Sequence, residues 1–385
     1  MKGGDEFSKL NMCSTNRPKI LLRRSKLKGK KLLSLVGSIC LILVLAALLL
    51  PACAPAEEAP EAAAPAAAEV YKWRMVSMGT AVSPWHTTEF YFVEAVETMS
   101  GGRIDIELYP KGELFDVTDS IYNVSEGVVE LAATAGDYAK GFDTRFSNLS
   151  YLCGSPLDDV SKFDIMIYRT GYAEAVNDLY EEHNCHWLGV SYGSPEQMLV
   201  TVPIRTLEDF KGLKLRGSGP SELMFNKLGA SATYIDFGEI YTAIQLGTIV
   251  GGDMTTPQGN WDMGFHEVTN YIIEPMLYTR GFTMDHYINL DVWNEITPDL
   301  QEMLVVACRA GGLDAFTEEK GADLEYRQKM IDYGLEVITL SPEDVTEAFA
   351  LAQEIWDELA AQDPMSAIRV RCERETARLL GIPGF

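Results

Sequence analysis

Basic residues are scarce in this chain once its first 52 residues are set aside. Those residues hold ten of the 32 Lys and Arg and two of the 56 Asp and Glu, leaving 22 basic against 54 acidic residues and a formal charge of −32. A surface so acidic repels nucleic acid and anionic lipid headgroups, so neither is expected as a partner. Cysteine is sparse too: beyond Cys53 only Cys153, Cys185, Cys308 and Cys372 remain, with no Cys-x-x-Cys spacing. A chain of this size needs no disulfide framework, so these read as buried thiols, with Cys153 and Cys185 the one pairing to test. A Gly-Lys-Ser phosphate loop and a Gly-x-Gly-x-x-Gly turn are both missing, and His266-Glu267 lacks the second histidine of a zinc protease. His183-Asn184-Cys185-His186 is the one cluster of soft ligands, too tightly spaced for tetrahedral zinc. No repeat of fixed spacing runs through the chain, which excludes a solenoid.

What is present begins with a basic stretch up to residue 31 and an apolar run from Leu32 to Leu50, the layout of a signal peptide over residues 1–52. Leu50-Pro51-Ala52-Cys53 resembles a bacterial lipobox, in which Cys53 would carry the lipid; Pro51 departs from the usual small residue. The competing reading is a transmembrane anchor, since the run is just long enough to span a bilayer. Either reading places the folded part outside the cytoplasmic membrane. Residues 53–69, rich in Ala, Pro and Glu without an aromatic, cannot bury a core and read as a tether.

From Val70 onward the length exceeds one ordinary core, so two domains are expected. Lys72–Val76, Arg103–Tyr109 and Val128–Ala135 read as strands, with helices over Trp85–Ser100 and Ser120–Gly127 between them, the alternation of an α/β domain. A helix over Phe163–Asn184 leads to a strand over Trp187–Tyr192. Gln197–Val202, Leu213–Arg216, Thr233–Phe237 and Ile249–Asp253 read as strands of a second domain. Met284–Leu290 resumes the first, followed by a long amphipathic helix over Pro298–Glu325, a strand over Leu335–Leu340 and two closing helices. The expected division is 70–193 with 281–320 as the first domain and 194–280 with 321–385 as the second. Two crossings imply hinge strands beside a cleft, with ligands beyond the strand ends.

The segment from Thr206 to Met254 carries the chemistry. In Leu213-Lys214-Leu215-Arg216 the leucines share one strand face and the basic residues the other, which delivers Arg216 to a strand end. Gly217-Ser218-Gly219-Pro220 then turns into a helix with Pro220 first and Ser218 or Gly219 as cap. A guanidinium beside a helix N-terminus suits a carboxylate. A surface arginine before a helix is the plain alternative.

Lys211-Gly212-Leu213-Lys214-Leu215-Arg216, Leu228-Gly229-Ala230 and Glu239-Ile240-Tyr241-Thr242-Ala243-Ile244-Gln245 resemble the extracytoplasmic substrate-binding subunits of TRAP transporters, the DctP-like family, and the likeness runs from about Tyr71 to the C-terminus. The resemblance implies a two-domain α/β fold of the periplasmic-binding-protein type. It also implies no catalysis, a small organic acid as ligand with its carboxylate on Arg216, and two TRAP membrane subunits as partners. An ABC-importer receptor and, further off, an exported hydrolase are the alternatives. The remaining candidates sit where loops would meet the cleft: Trp85 and His86, Asp137 and Tyr138, Ser218, Phe237, and Asp253 with Trp261. Asp253 is also the candidate to touch a metal ion held with the ligand; no other cofactor is expected. Glu196 stands where some relatives of this type have a second arginine, and Val250 replaces the aspartate of a Val-Asp-Gly motif. Lacking the second cation, the site is expected to take a monocarboxylate, with Glu196 facing solvent or reading a polar substituent.

Overall fold

The computed structural model describes residues 70–382 except Val82. The signal peptide, Cys53 and the tether expected over 1–69 lie outside the described residues. In chain order the elements are β1 (Tyr71–Ser77), α1 (Pro84–Ser100), β2 (Ile104–Tyr109), α2 (Ser120–Ser125), β3 (Leu131–Thr134), α3 (Val160–Arg169), α4 (Tyr172–Glu181) and β4 (Cys185–Gly193). The chain continues through β5 (Met198–Val200), β6 (Lys214–Arg216), α5 (Pro220–Lys227), β7 (Ser231–Thr233), α6 (Phe237–Gln245), β8 (Gly251–Asp253), α7 (Pro257–Asp262) and β9 (Tyr271–Glu274). It closes with β10 (Phe282–Asn289), α8 (Leu290–Glu295), α9 (Pro298–Tyr333), β11 (Glu336–Thr339), α10 (Pro342–Ala360) and α11 (Pro364–Leu379).

Two mixed sheets organise these into two lobes, one of strand order β2-β1-β3-β10-β4 and one of order β11-β9-β5-β8-β6-β7. β1 runs parallel to β2 and β3, while β10 is antiparallel to both β3 and β4. The chain passes from the first sheet to the second between β4 and β5 and returns between β9 and β10. A third link runs through Leu152 and Cys153, which are packed in the second lobe's core, with Trp356 Nε1 donating to the Cys153 carbonyl at 2.8 Å.

α9, 36 residues and about 54 Å long at 1.5 Å per residue, is a spine for both lobes. Its Leu300, Leu304, Ala307 and Cys308 pack with Trp73, Phe92 and Ile288 of the first lobe, and its Met330 with Leu199, Ile240 and Ile272 of the second. Gly311 is needed for this, since a Cβ there would meet the Phe92 backbone nitrogen at 2.7 Å. α11 returns to the first lobe, packing on α3 and α4 and completing its core with Met365 and Cys372. The last helix therefore does not stay with the second domain as expected; its apolar face fits the groove beside α3 and α4.

Local chemistry explains two further differences from the sequence reading. The helix expected over 163–184 is two helices, because Gly171 takes φ +77° between them. The strand expected over 233–237 stops at Thr233, since the Asp236 carboxylate accepts from Gly238 N at 3.0 Å and starts α6 at Phe237. All four cysteines among the described residues are buried and unpaired, with Cys153 and Cys185 in different cores. No helix among the described residues is long and apolar enough to cross a membrane.

Candidate functional site

β8 lies between β5 and β6, and the approach is close enough that Gly252 cannot carry a side chain: a Cβ would sit 2.1 Å from the Arg216 carbonyl oxygen. This brings the last residue of β6, Arg216, beside the last residue of β8, Asp253, at the ends of strands facing the first lobe. Both are nearly sealed from solvent, at 3% and 1% exposure. Arg216 Nη1 lies 3.3 Å from Asp253 Oδ2 and donates to the Asp253 carbonyl at 3.0 Å, while Nε donates to the Ile235 carbonyl at 3.4 Å. Its guanidinium stands over the Phe237 ring at 4.6 Å. Asp253 Oδ2 also accepts from the Ser221 hydroxyl at 2.6 Å, whereas Oδ1 has no hydrogen-bond partner.

A cavity of about 70 Å³ opens at this pair, between the two sheets. The first lobe contributes Trp85, Asp137 and Tyr138, the second Arg216, Ser218, Phe237 and Asp253, and the crossing from β4 to β5 contributes Glu196. Trp85 meets Phe237 edge-on at 6.0 Å and Phe282 at 6.4 Å, an aromatic contact that ties the two lobes across the cleft. Asp137 accepts from Ser150 Oγ at 3.3 Å, and burial pushes its carboxyl up. Burial, and then the charge of Asp253, pushes Glu196 well above the usual carboxylate range. Asp253 is raised by burial as well, with Arg216 holding the rise back. The Glu196 and Tyr278 side chains face the Asp253 carboxyl, so Glu196 reads the cavity rather than solvent.

Seven sequence candidates thus converge on one cavity, and two do not. His86 is buried away from it against Phe90, ring centroids 5.1 Å apart, because the residue after Trp85 on α1 is turned about 100° around the helix. Trp261 is carried off by α7 and stacks flat on His266 at 4.0 Å, with Tyr326 and Tyr333 of α9 around it. α5 starts as expected with Gly219 as cap and Pro220 first, and the two amides of the loop before it are engaged within the lobe. Gly217 N donates to the Thr233 carbonyl at 3.0 Å and Ser218 N to Ser221 Oγ at 2.8 Å, so neither is left for an anion. Sequence reasoning missed Tyr151, whose hydroxyl donates to the Ser218 carbonyl at 2.9 Å, and Phe282 at the start of β10. Only the link through Leu152 explains why Tyr151 reaches the cleft, and no local pattern marks that.

A Gly-x-Ser-x-Gly motif, which the hydrolase alternative would need and which the sequence reading counts as absent, is present as Gly189-Val190-Ser191-Tyr192-Gly193. It runs straight along β4 rather than turning into a helix, and Ser191 is buried. His286 Nε2 lies 3.2 Å from both Ser191 Oγ and Glu89 Oε2, so one nitrogen faces serine and acid together, unlike the two-sided histidine of a hydrolytic triad. The soft-ligand cluster disperses too: His183 pairs with Asp143 and His186 stacks on Trp293.

Two α/β lobes joined by crossing strands, with a buried arginine at the cleft between them, define a solute-binding protein. The chain matches the model of the bacterial extracellular solute-binding protein family 7, DctP, over residues 75–363, and belongs to that family. It is a TRAP-type extracytoplasmic binding subunit. It is similar to a monocarboxylate 2-oxoacid-binding periplasmic protein of Nostoc sp., 23% identical over 76% of this chain and 80% of that one. A sialic acid-binding periplasmic protein of Vibrio cholerae is 24% identical over 58% of this chain and 69% of its own. Among solved structures, a TRAP periplasmic solute-binding protein from Colwellia psychrerythraea with bound calcium and pyruvate superposes with TM-score 0.73 at 23% identity, covering 81% of this chain and 96% of that one. Another from Pseudoalteromonas atlantica, with sodium and pyruvate, gives TM-score 0.71 at 23% identity, covering 81% and 95%.

Those two bound ions raise the question of a metal here. Among the described residues no group of three or more His, Cys, Asp or Glu side chains converges to hold one. Asp253, expected as the ion's contact, has one carboxylate oxygen already engaged by Ser221 and Arg216. The acid side chains facing Asp253 are too few to hold a resident ion without carbonyl or hydroxyl oxygens to complete the shell.

Proposed function

We propose that this chain captures a small monocarboxylate in the interlobe cleft and hands it to TRAP membrane subunits. The observation that carries the reading is Arg216, the single cation among the residues lining the cavity. It is the natural partner for a carboxylate, through two parallel charge-assisted hydrogen bonds. Its present partner is Asp253, at 3.3 Å, a geometry loose enough for an incoming carboxylate to share the guanidinium. Glu196 supports one carboxylate rather than two, since it offers a second ligand carboxylate no cation to pair with. The monocarboxylate-binding relative from Nostoc supports the same class.

The cycle is capture without bond making. The carboxylate docks on Arg216, the lobes close with Trp85 against Phe237, and exclusion of water lowers the local dielectric and strengthens the ion pair. Arg216→Ala is expected to cost about 3 to 5 kcal/mol of ligand affinity, the usual loss when one member of a desolvated pair is removed. Titration calorimetry with lactate, pyruvate and succinate checks both points: unchanged affinity in the alanine variant, or tight succinate with no monocarboxylate response, overturns the reading. Anchoring through a lipid on Cys53 is part of the proposal, supported by the Leu50-Pro51-Ala52-Cys53 run. Cys53→Ser should release the protein from the membrane fraction, and retention there would contradict the lipid anchor.

A further inference from the structure

The charges lining the cavity do not balance for a plain anion. Three carboxyl groups, Asp137, Glu196 and Asp253, share the space with one guanidinium. A ligand carboxylate arriving on Arg216 would make four acid groups around one cation, tolerated only while buried acids such as Glu196 keep their protons. Hydrogen bonding is unbalanced in the same sense. Asp253 Oδ1 is buried without a hydrogen bond of good geometry, and the donors that face this carboxyl besides Ser221 and Arg216 are the Tyr278 hydroxyl and the proton kept by Glu196. The donor within this acid pair is the proton that Glu196 retains, and a ligand that brings donors of its own relieves both acids of sharing it.

Resting on the monocarboxylate reading above, we propose that the ligand is a zwitterion, a monocarboxylate bearing a protonated amine close to the carboxylate, with the amine read by Glu196 and Asp253. A 2-oxo group brings no donor and would leave the unpartnered oxygen of Asp253 buried. A hydroxyl brings one donor and no charge. An ammonium brings three donors and the missing positive charge, and it suits the aromatic walls of Trp85 and Phe237. Glu196 is then a specificity-determining residue, and the ligand itself supplies the cation that the acids of the cavity lack.

The test uses matched triads on the purified protein: alanine, lactate and pyruvate, and leucine with its 2-hydroxy and 2-oxo counterparts. Each is titrated with EDTA and again with calcium. In at least one triad the amino acid is expected to bind about 10-fold or more tighter than both analogues in EDTA, about 1.4 kcal/mol. Glu196→Gln, which keeps the volume and removes the charge, should erase that preference while leaving a carboxylate response that depends on Arg216. A hydroxy or oxo acid that binds as tightly as its amino acid in either condition overturns the zwitterion but leaves the monocarboxylate reading standing. An amino-acid preference that survives Glu196→Gln overturns the role of Glu196. If no triad member binds, and succinate alone does, both readings fall together.

Discussion

Arg216 and Arg369 are two arginines buried like core residues, at 3% and 0% exposure, yet they are built for different ends. Arg369 on α11 lies 3.1 Å from Glu373 one turn along, donates to the Leu149 carbonyl at 3.0 Å and stands over Tyr172 at 5.3 Å. Glu373 in turn accepts from the Ser155 hydroxyl. One acid answers one base, the surroundings are packed protein, and the pair fixes the last helix to the first lobe. Arg216 also has an acid at ion-pair distance, but it faces a cavity holding two further carboxyls. Burial and pairing alone therefore do not tell the two arginines apart. An opening beside it and a local surplus of acid groups set Arg216 apart, and the proposed role rests on these.

Breaking each pair should separate the two roles. Arg369→Met leaves Glu373 buried and unpaired, and is expected to lower unfolding free energy by about 3 to 5 kcal/mol while folded protein keeps its ligand affinity. Adding Glu373→Leu should restore most of that stability, because an apolar pair of similar volume avoids desolvating two charges. Arg216→Met should show the reverse pattern, with ligand response lost and a smaller fall in stability, since Asp253 and Glu196 can share a proton beside the cavity. Denaturant unfolding with and without ligand measures all three. An Arg216 variant that unfolds as readily as the Arg369 variant would collapse the distinction.

A third buried charge cluster lies where the spine helix passes the crossing between lobes, and it has acids with no arginine. Glu319 Oε2 accepts from Ser194 N at 3.0 Å, and Asp323 Oδ1 accepts from Gln258 N at 3.2 Å. Burial pushes Glu319 up to about 8 and Asp323 up to about 6. The folded chain therefore keeps a proton on Glu319 that the unfolded chain releases near its ordinary value of about 4.3. Between those limits the unfolded state binds fewer protons, so stability falls as pH rises, and the loss is complete above about 8. Glu319→Gln removes this penalty. Its stability relative to the parent should grow by a few kcal/mol (roughly 1.4 per pH unit) from pH 5 to pH 8 and then level off. Parallel pH profiles for the two proteins would show that Glu319 ionises in the folded state as freely as in the unfolded.

Arg216 was legible in the sequence because strand alternation fixes which face a side chain takes, and four residues suffice to show it. Asp137 and Tyr138 were legible because they follow a buried strand directly. The two-lobe organisation was visible in chain length and in the order of strands and helices. Arg369 was not, since an Arg and Glu four apart on a helix usually form a solvated surface pair. Glu196 was placed on the right crossing, but the direction of its side chain depends on how the two sheets face each other, which no local pattern encodes. The helix expected to end at Glu325 runs on to Tyr333, and Gly311 and Gly312 within it admit the close packing of α1 and β4.

The two tryptophans expected at the cleft make the finest comparison. Trp85 stands at the cavity and touches Phe237 and Phe282, rings that come from beyond its own helix. Trp261 leaves β8 on a helix capped by Thr256 and turns to the spine helix instead. Of the two edge-on aromatic pairs of Trp85 only the one with Phe237 crosses the cleft, and such a pair is worth about 0.5 to 1.5 kcal/mol, so Trp85→Ala should weaken ligand binding by about that much through a less favourable closed state. Trp261→Ala removes a similar ring from the same lobe as Arg216 and should leave ligand affinity unchanged, although the stack on His266 is lost. Titration of both variants with the parent's tightest ligand measures the difference. Equal losses would mean that the lobe responds to any missing aromatic ring, and that Trp85 holds no particular place in closure.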